Sequence, residues 1–138
     1  MTLLDTNLLI YASDSRAQHH DWARRTIAEA VSGDGAVTNA VCLAEVCVGE
    51  DDPETAADRI RSWDVDVIDV PAAAAPVCAR AYREYRKRRR EQSGKDAPLV
   101  PLPDFFIGAH AQIMGWSLAT ADETRIRTYF PTVPLITP

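Results

Sequence analysis

Met1-Thr2-Leu3-Leu4-Asp5-Thr6-Asn7-Leu8-Leu9-Ile10-Tyr11-Ala12 is the stretch whose reading decides the fold. Two apolar runs, Thr2 to Leu4 and Leu8 to Ala12, are split by the polar triplet Asp5-Thr6-Asn7. A short apolar run ending at turn formers reads as a buried strand, and the second run then reads as a helix entered through a polar turn. Strand, turn and helix in that order form the opening unit of an α/β layer fold.

The same alternation continues outward. His20 to Val31 places Trp22, Ala23, Ile27, Ala30 and Val31 at helical spacing, and Ser32-Gly33-Asp34-Gly35 closes the helix. Ala36 to Thr38 is a candidate strand, and Asn39 is suited to cap a helix from Ala40 to Val48 that ends at Gly49. Pro53 suits the first turn of a helix reaching Trp63, and the β-branched run Val65 to Val70 reads as a strand. From Ala72 a helix sets Val77, Cys78, Ala81, Tyr82 and Tyr85 on one face, with Arg80, Arg83, Lys87 and Arg90 on the other. Gln92 to Pro103, with Ser93-Gly94 and three prolines, reads as a surface loop. Asp104 to Met114 is an apolar helix, Ser117 to Thr120 a strand, Asp122 to Tyr129 a short helix and Val133 to Ile136 a last strand. Alternating elements of this kind predict a mainly parallel central sheet, whose ligands bind beyond the carboxyl ends of the strands. Asp5 and Asp122 both fall at that edge.

A chain of 138 residues, 46% hydrophobic and 25% charged, has the size and composition of one compact domain spanning 1–138. Its longest apolar run, Ala40 to Val48, is broken by Glu45, far short of a membrane span, and the N terminus lacks the pattern of a secretory signal. The cytoplasm is the expected compartment. Cys42, Cys47 and Cys78 match neither a disulfide framework nor a zinc pattern, so they read as small buried apolar residues. The net charge of −5 hides a segregation. Arg80, Arg83, Arg86, Lys87, Arg88, Arg89, Arg90 and Lys95 stand in one stretch against only Glu84 and Glu91. Such a block can hold phosphates, with Arg86, Lys87, Arg89 and Arg90 the candidate RNA contacts, or it can be a solvated helix end favoured by the helix dipole.

Four carboxylates stand where acids are unexpected: Asp5, Glu45, Asp104 and Asp122. Glu45 is the one polar residue between Ala40 and Val48, and burying it there costs several kcal/mol, on the order of 3 or more, unless it is paired or bound to a cation. Its bland alternative is a position reaching solvent or an Arg partner. Asp5, Asp104 and Asp122 each read individually as helix caps. Caps at this edge of a sheet converge, however, and converging carboxylates repel one another unless a hard cation intervenes. Mg²⁺ or Mn²⁺ suits such oxygen ligands, whereas Zn²⁺ is disfavoured by the scarcity of His and Cys.

Leu3-Leu4-Asp5-Thr6-Asn7-Leu8-Leu9-Ile10-Tyr11, Leu43-Ala44-Glu45-Val46, Pro103-Asp104-Phe105-Phe106-Ile107-Gly108-Ala109-His110-Ala111 and Leu118-Ala119-Thr120-Ala121-Asp122 together resemble the successive signatures of PIN-domain ribonucleases. In length and layout the chain is most similar to VapC-type toxins of bacterial toxin-antitoxin pairs. The resemblance implies a three-layer α/β/α fold with Asp5, Glu45, Asp104 and Asp122 around one or two Mg²⁺ ions, Mn²⁺ substituting. It further implies supporting roles for Asn7 and Thr120, cleavage of RNA to 5′-phosphate and 3′-hydroxyl ends, a cognate antitoxin and a homodimer. Ile126 departs from the family by replacing a common aromatic four residues after the last acid.

Other chemistries fit less well. His19 and His20 are adjacent and point about 100° apart on a helix, which suits surface residues, and His110 reads as a core or rim histidine, so no acid-base pair of histidines forms. Neither a phosphate-binding glycine loop nor a Gly-x-Ser-x-Gly elbow is present. A phosphotransfer domain using Asp5 would want a second acid where Asn7 stands. A non-catalytic module that binds RNA or an acidic partner through the basic helix remains the alternative reading.

Overall fold

The computed structural model describes residues 1–92 and 100–138. The elements in chain order are β1 (Thr2–Leu4), α1 (Thr6–Ser13), α2 (His20–Ser32), β2 (Ala36–Asn39), α3 (Ala40–Val48), α4 (Pro53–Arg61), β3 (Asp66–Ile68), α5 (Ala74–Gln92), α6 (Leu102–Met114), β4 (Ser117–Ala119), α7 (Glu123–Tyr129) and β5 (Leu135–Ile136). The strands form one sheet in the order β3-β2-β1-β4-β5, with every pairing parallel and helices flanking the sheet in the α/β/α manner. Chain order runs outward from β1 through β2 to β3, then returns to lay β4 on the other side of β1. The strand order therefore reverses between β1 and β4, and a crevice opens there beyond their carboxyl ends. Asp5 follows β1, and Thr120 to Asp122 follow β4, so the topology brings both segments to this crevice.

Leu3, Leu4, Leu8, Leu9 and Leu118 are fully buried around the central strands. The same core extends between α5, α6 and α7. Phe105 packs against Tyr82, Tyr85 and Tyr129 with ring centroids 5.1, 5.2 and 5.5 Å apart, the range in which aromatic pairs attract beyond their area burial. Phe130, just past α7, closes this cluster against α6, where the absence of a side chain at Gly108 admits its ring. Gly115 ends α6 in the left-handed region at φ 66, a conformation that suits glycine at a helix C-terminus.

Several boundaries differ from the sequence reading. Leu102 and Pro103 belong to α6 and not to a loop, because a proline in the first helical turn loses no hydrogen bond. Gln92 likewise belongs to α5, Val100 and Pro101 are irregular as expected, and 93–99, with Lys95 of the basic block, lie outside the described residues. Val65 to Val70 yields only the three-residue β3, and α4 stops at Arg61, two residues short of Trp63. The helix expected from Ala72 begins at Ala74. Cys42 and Cys78 are buried as expected, whereas Cys47 is partly exposed. His19 and His20 are half-buried and not surface residues: His20 Nδ1 donates to the Tyr11 carbonyl at 2.9 Å, and His19 lies edge-on to Tyr11 and Trp22. Among the described residues, no helix is long and apolar enough to cross a membrane.

Candidate active site

The crevice between β1 and β4 is a cavity of about 230 Å³ lined by Asp5, Thr6, Asn7, Glu45, Asp104, Asp122 and Arg125, with Ile10, Ile107 and Ile126 as its apolar walls. All four singled-out carboxylates therefore face one space, delivered by four elements. Asp5 arrives at the end of β1, Glu45 on α3, Asp104 in the first turn of α6 and Asp122 at the entry of α7.

Asp5 is the deepest of them, 8% exposed. Its Oδ1 accepts the Thr6 N–H at 2.7 Å, and its Oδ2 accepts from the Thr120 hydroxyl at 2.6 Å and the Asn7 amide at 2.9 Å. Thr120 also accepts the Asp122 N–H at 2.9 Å, while the Asn7 carbonyl accepts the Ala121 N–H at 3.0 Å. These bonds tie the turn after β1 to the turn after β4 and fix the carboxylate's orientation. Burial nevertheless pushes the Asp5 carboxyl above its usual range, outweighing the bonds from Thr120 and Thr6, and the charges of Asp122 and Asp104 push the same way. Glu45 is raised for the same reasons, burial first and the Asp104 and Asp5 charges after it, against the lowering effect of a 2.5 Å bond from the Thr6 hydroxyl.

Three expectations about these acids change. Glu45 is half-buried and not enclosed, because α3 is apolar without being buried all round: Val48 is 88% exposed. Asp104 caps nothing. The cap position belongs to Pro101, and Asp104 sits within the first turn with its carboxylate in the cavity. Asp122 occupies a cap position but makes no capping bond, and its Oδ2 instead meets Arg125 Nη2 at 2.7 Å. Arg125 also reaches Asp104 Oδ2 through Nη1 at 3.4 Å. Thr6 and Arg125 are the two site residues the sequence reading passed over. Thr6 lay inside the quoted opening motif, and Arg125 follows Asp122 by three residues, the spacing at which side chains on a helix meet.

The donor chemistry fits a hard divalent cation: the groups are all carboxylate oxygens, and the raised Asp5 and Glu45 show the unfavourable charge that a cation would offset. Among the described residues, no three His, Cys, Asp or Glu side chains form a group that could hold a metal ion, and a guanidinium stands between Asp104 and Asp122.

The basic helix α5 divides into two faces. Arg86, Lys87 and Arg90 join Arg80 and Arg83 around an outward-facing cavity of about 470 Å³. Arg89 instead donates to the Tyr85 hydroxyl one turn back on α5 at 3.2 Å, and Arg88 pairs with Glu84 at 3.0 Å while its guanidinium lies 5.6 Å over the Tyr129 ring of α7. The four expected RNA contacts therefore do not share one surface, since residues 100° apart per step cannot all face one way.

The family model of the PIN domain matches residues 2–131, and the chain belongs to the PIN-domain family. No curated protein matches the sequence. Among solved structures, the toxin-antitoxin complex from Klebsiella pneumoniae is similar at TM-score 0.68 and 23% identity, covering 100% of this chain and 98% of that one. VapBC2 from Rickettsia felis, bound to a DNA fragment from its promoter, is similar at TM-score 0.66 and 19% identity over 99% of this chain and 97% of that one. VapC20 from Mycobacterium tuberculosis, described as a toxin cleaving the sarcin-ricin loop, is similar at TM-score 0.58 and 20% identity over 85% of each chain.

Proposed function

We propose that this protein is a metal-dependent endoribonuclease and the toxin of a type II toxin-antitoxin pair. The observation that carries the reading is the convergence of Asp5, Glu45, Asp104 and Asp122 on one cavity at the switch point of a PIN-family sheet. Asp5, Glu45 and Asp104 would hold Mg²⁺, for which Mn²⁺ can substitute, and Asp122 would complete the shell or order a water. When bound, such a cation neutralises charge on the scissile phosphate and makes water acidic enough to attack it at neutral pH. Asn7 and Thr120 hold the Asp5 carboxylate in place, and Thr6 holds Glu45, so the ligands' positions do not depend on the ion alone. Arg86, Lys87 and Arg90 on α5 are the proposed contacts for phosphates of the bound RNA.

A protein partner is supported by apolar surface on α1 and α3, where Ile10 is 46% and Val48 88% exposed, and by the toxin-antitoxin complexes among the similar structures. A cognate antitoxin is the proposed partner, and a homodimer in the cytoplasm the proposed working form.

The test is cleavage of a pooled, folded RNA mixture with Mg²⁺ or Mn²⁺, with chelator, and with Asp104→Asn. Discrete cuts that need metal and disappear in the variant are expected. Full activity in Asp104→Asn would remove that carboxylate from the mechanism. The arginine-lined cavity of α5, which shares no lining residue with the acidic one, favours a second reading as a non-catalytic RNA-binding module. RNA bound without any cuts would select it.

A further inference from the structure

Of the described residues lining the acidic cavity, Arg125 alone is cationic. It belongs to α7, yet it meets acids from two elements, Asp122 at 2.7 Å and Asp104 at 3.4 Å. An ordinary i,i+3 pair that steadies the first turn of α7 accounts for the Asp122 contact. It does not account for the reach to Asp104 on α6. The three side chains are between 26% and 32% exposed, so the pairing is sheltered from solvent more than a surface ion pair. A planar guanidinium is also suited to bridging two carboxylates, each nitrogen serving one of them. Asp5 and Glu45 line the same cavity, so among its described residues Arg125 carries the one positive charge that faces four carboxylates.

We propose that Arg125 is a resident counter-ion that competes with a divalent cation for Asp104 and Asp122. Entry of the cation then requires the guanidinium to leave those carboxylates, and the protein's affinity for metal is set partly by how readily it does so. The inference rests on the metal-dependent reading above, and it differs in sign from the plain alternative. A residue that merely held Asp104 and Asp122 in position for the ion would weaken metal binding when removed. A competitor strengthens it.

The experiment is calorimetric titration of Mn²⁺ into the full-length wild type, Arg125→Ala and Arg125→Gln, with circular dichroism confirming the fold of each and thermal melts run with and without Mn²⁺. Loss of an ion pair of this exposure is expected to tighten Mn²⁺ binding about five- to tenfold in both variants. The rise in melting temperature on adding Mn²⁺ is expected to grow accordingly, because a ligand stabilises with the logarithm of its concentration relative to Kd. Arg125→Gln keeps the length of the side chain and carries the test if the alanine variant fails to fold. Equal or weaker binding in the variants, with the wild type binding normally, overturns the inference and leaves the metal-dependent reading intact. No Mn²⁺ binding by any of the three overturns that reading, and this inference with it.

Discussion

Gly108→Ala sets two well-known effects against each other at a position that also shapes the site. Alanine in a helix interior is favoured over glycine by about 1 kcal/mol, so propensity alone makes the variant more stable. The added Cβ would meet Phe130 at 2.3 Å from Cδ2, 2.5 Å from Cε2 and 2.8 Å from Cγ. Carbon atoms pack at roughly 3.5 to 4.0 Å, so the ring must retreat by about 1 Å. Phe130 is 1% exposed and packs on Phe105, which leaves it nowhere to swing. Overpacking of this kind costs about 1 to 3 kcal/mol, and a clash with three atoms of one ring belongs at the upper end. The net expectation is a loss of about 2 kcal/mol, a fall in melting temperature of about 6 to 8 °C for a chain of this size. Because Gly108 lies one turn beyond Asp104 and Phe130 directly follows α7, the same wedge parts α6 from α7 and lengthens the Arg125 to Asp104 contact. Calorimetry and urea unfolding measure the loss, and Phe130→Leu supplies a double-mutant cycle in which removal of the ring relieves part of it. A variant as stable as the wild type, or costs that simply add in the cycle, would refute the steric argument.

Thr120→Val removes a donor to the buried Asp5 carboxylate and the acceptor of the Asp122 N–H, and a loss of about 1 to 3 kcal/mol is expected in urea unfolding. An unchanged midpoint would mean that Asn7 and the Thr6 N–H suffice to hold Asp5. His110 is fully buried, and burial lowers its pKa, so the unfolded chain takes up a proton as pH falls through about 6.5 while the folded chain resists it. Stability should therefore be unaffected by this residue above that pH and fall below it, by at most about 1.4 kcal/mol per pH unit, with His110→Gln flattening the slope between pH 6.5 and 5. Identical slopes in the two proteins would remove His110 as the cause. Native thiol labelling followed by peptide mass mapping should modify Cys47 first, because Cys42 and Cys78 are buried and burial pushes the Cys42 thiol up to about 12. Rapid labelling of Cys42 would contradict its place in the core.

Much of this was legible in the residues for a physical reason. Strand, cap and breaker signals are local, and α3 runs from Ala40 to Val48 as its Asn39 cap and Gly49 stop require, with the Asn39 side chain accepting the Cys42 N–H. The order of the strands is not local. Asp5 and Thr120 are 115 residues apart, and no pattern in either segment says that they share a hydrogen bond. Motif resemblance bridged that gap, since it speaks of the whole chain at once. It was silent on Arg125, whose partner Asp104 sits on another helix, and on Thr6, whose hydroxyl faces Glu45 across 39 positions. Burial was misjudged where composition stood in for geometry: α3 is apolar enough to read as enclosed, yet one of its faces lies at the surface.

The site's electrostatics explain why such a cluster can exist in a fold that must first form. Four carboxylates in one crevice oppose folding, and each has a partner within the chain. Asp5 draws on Thr120, Asn7 and the Thr6 N–H, Glu45 on the Thr6 hydroxyl, and Asp104 and Asp122 on a single guanidinium. The first two arrangements use neutral donors that leave the negative charge in place for a cation to meet. The third cancels charge and must be undone for a cation to reach both acids. Preorganisation and neutralisation are thus separated in space, with the Asp5 and Glu45 half of the site built to hold its geometry and the Asp104 and Asp122 half built to exchange one positive charge for another.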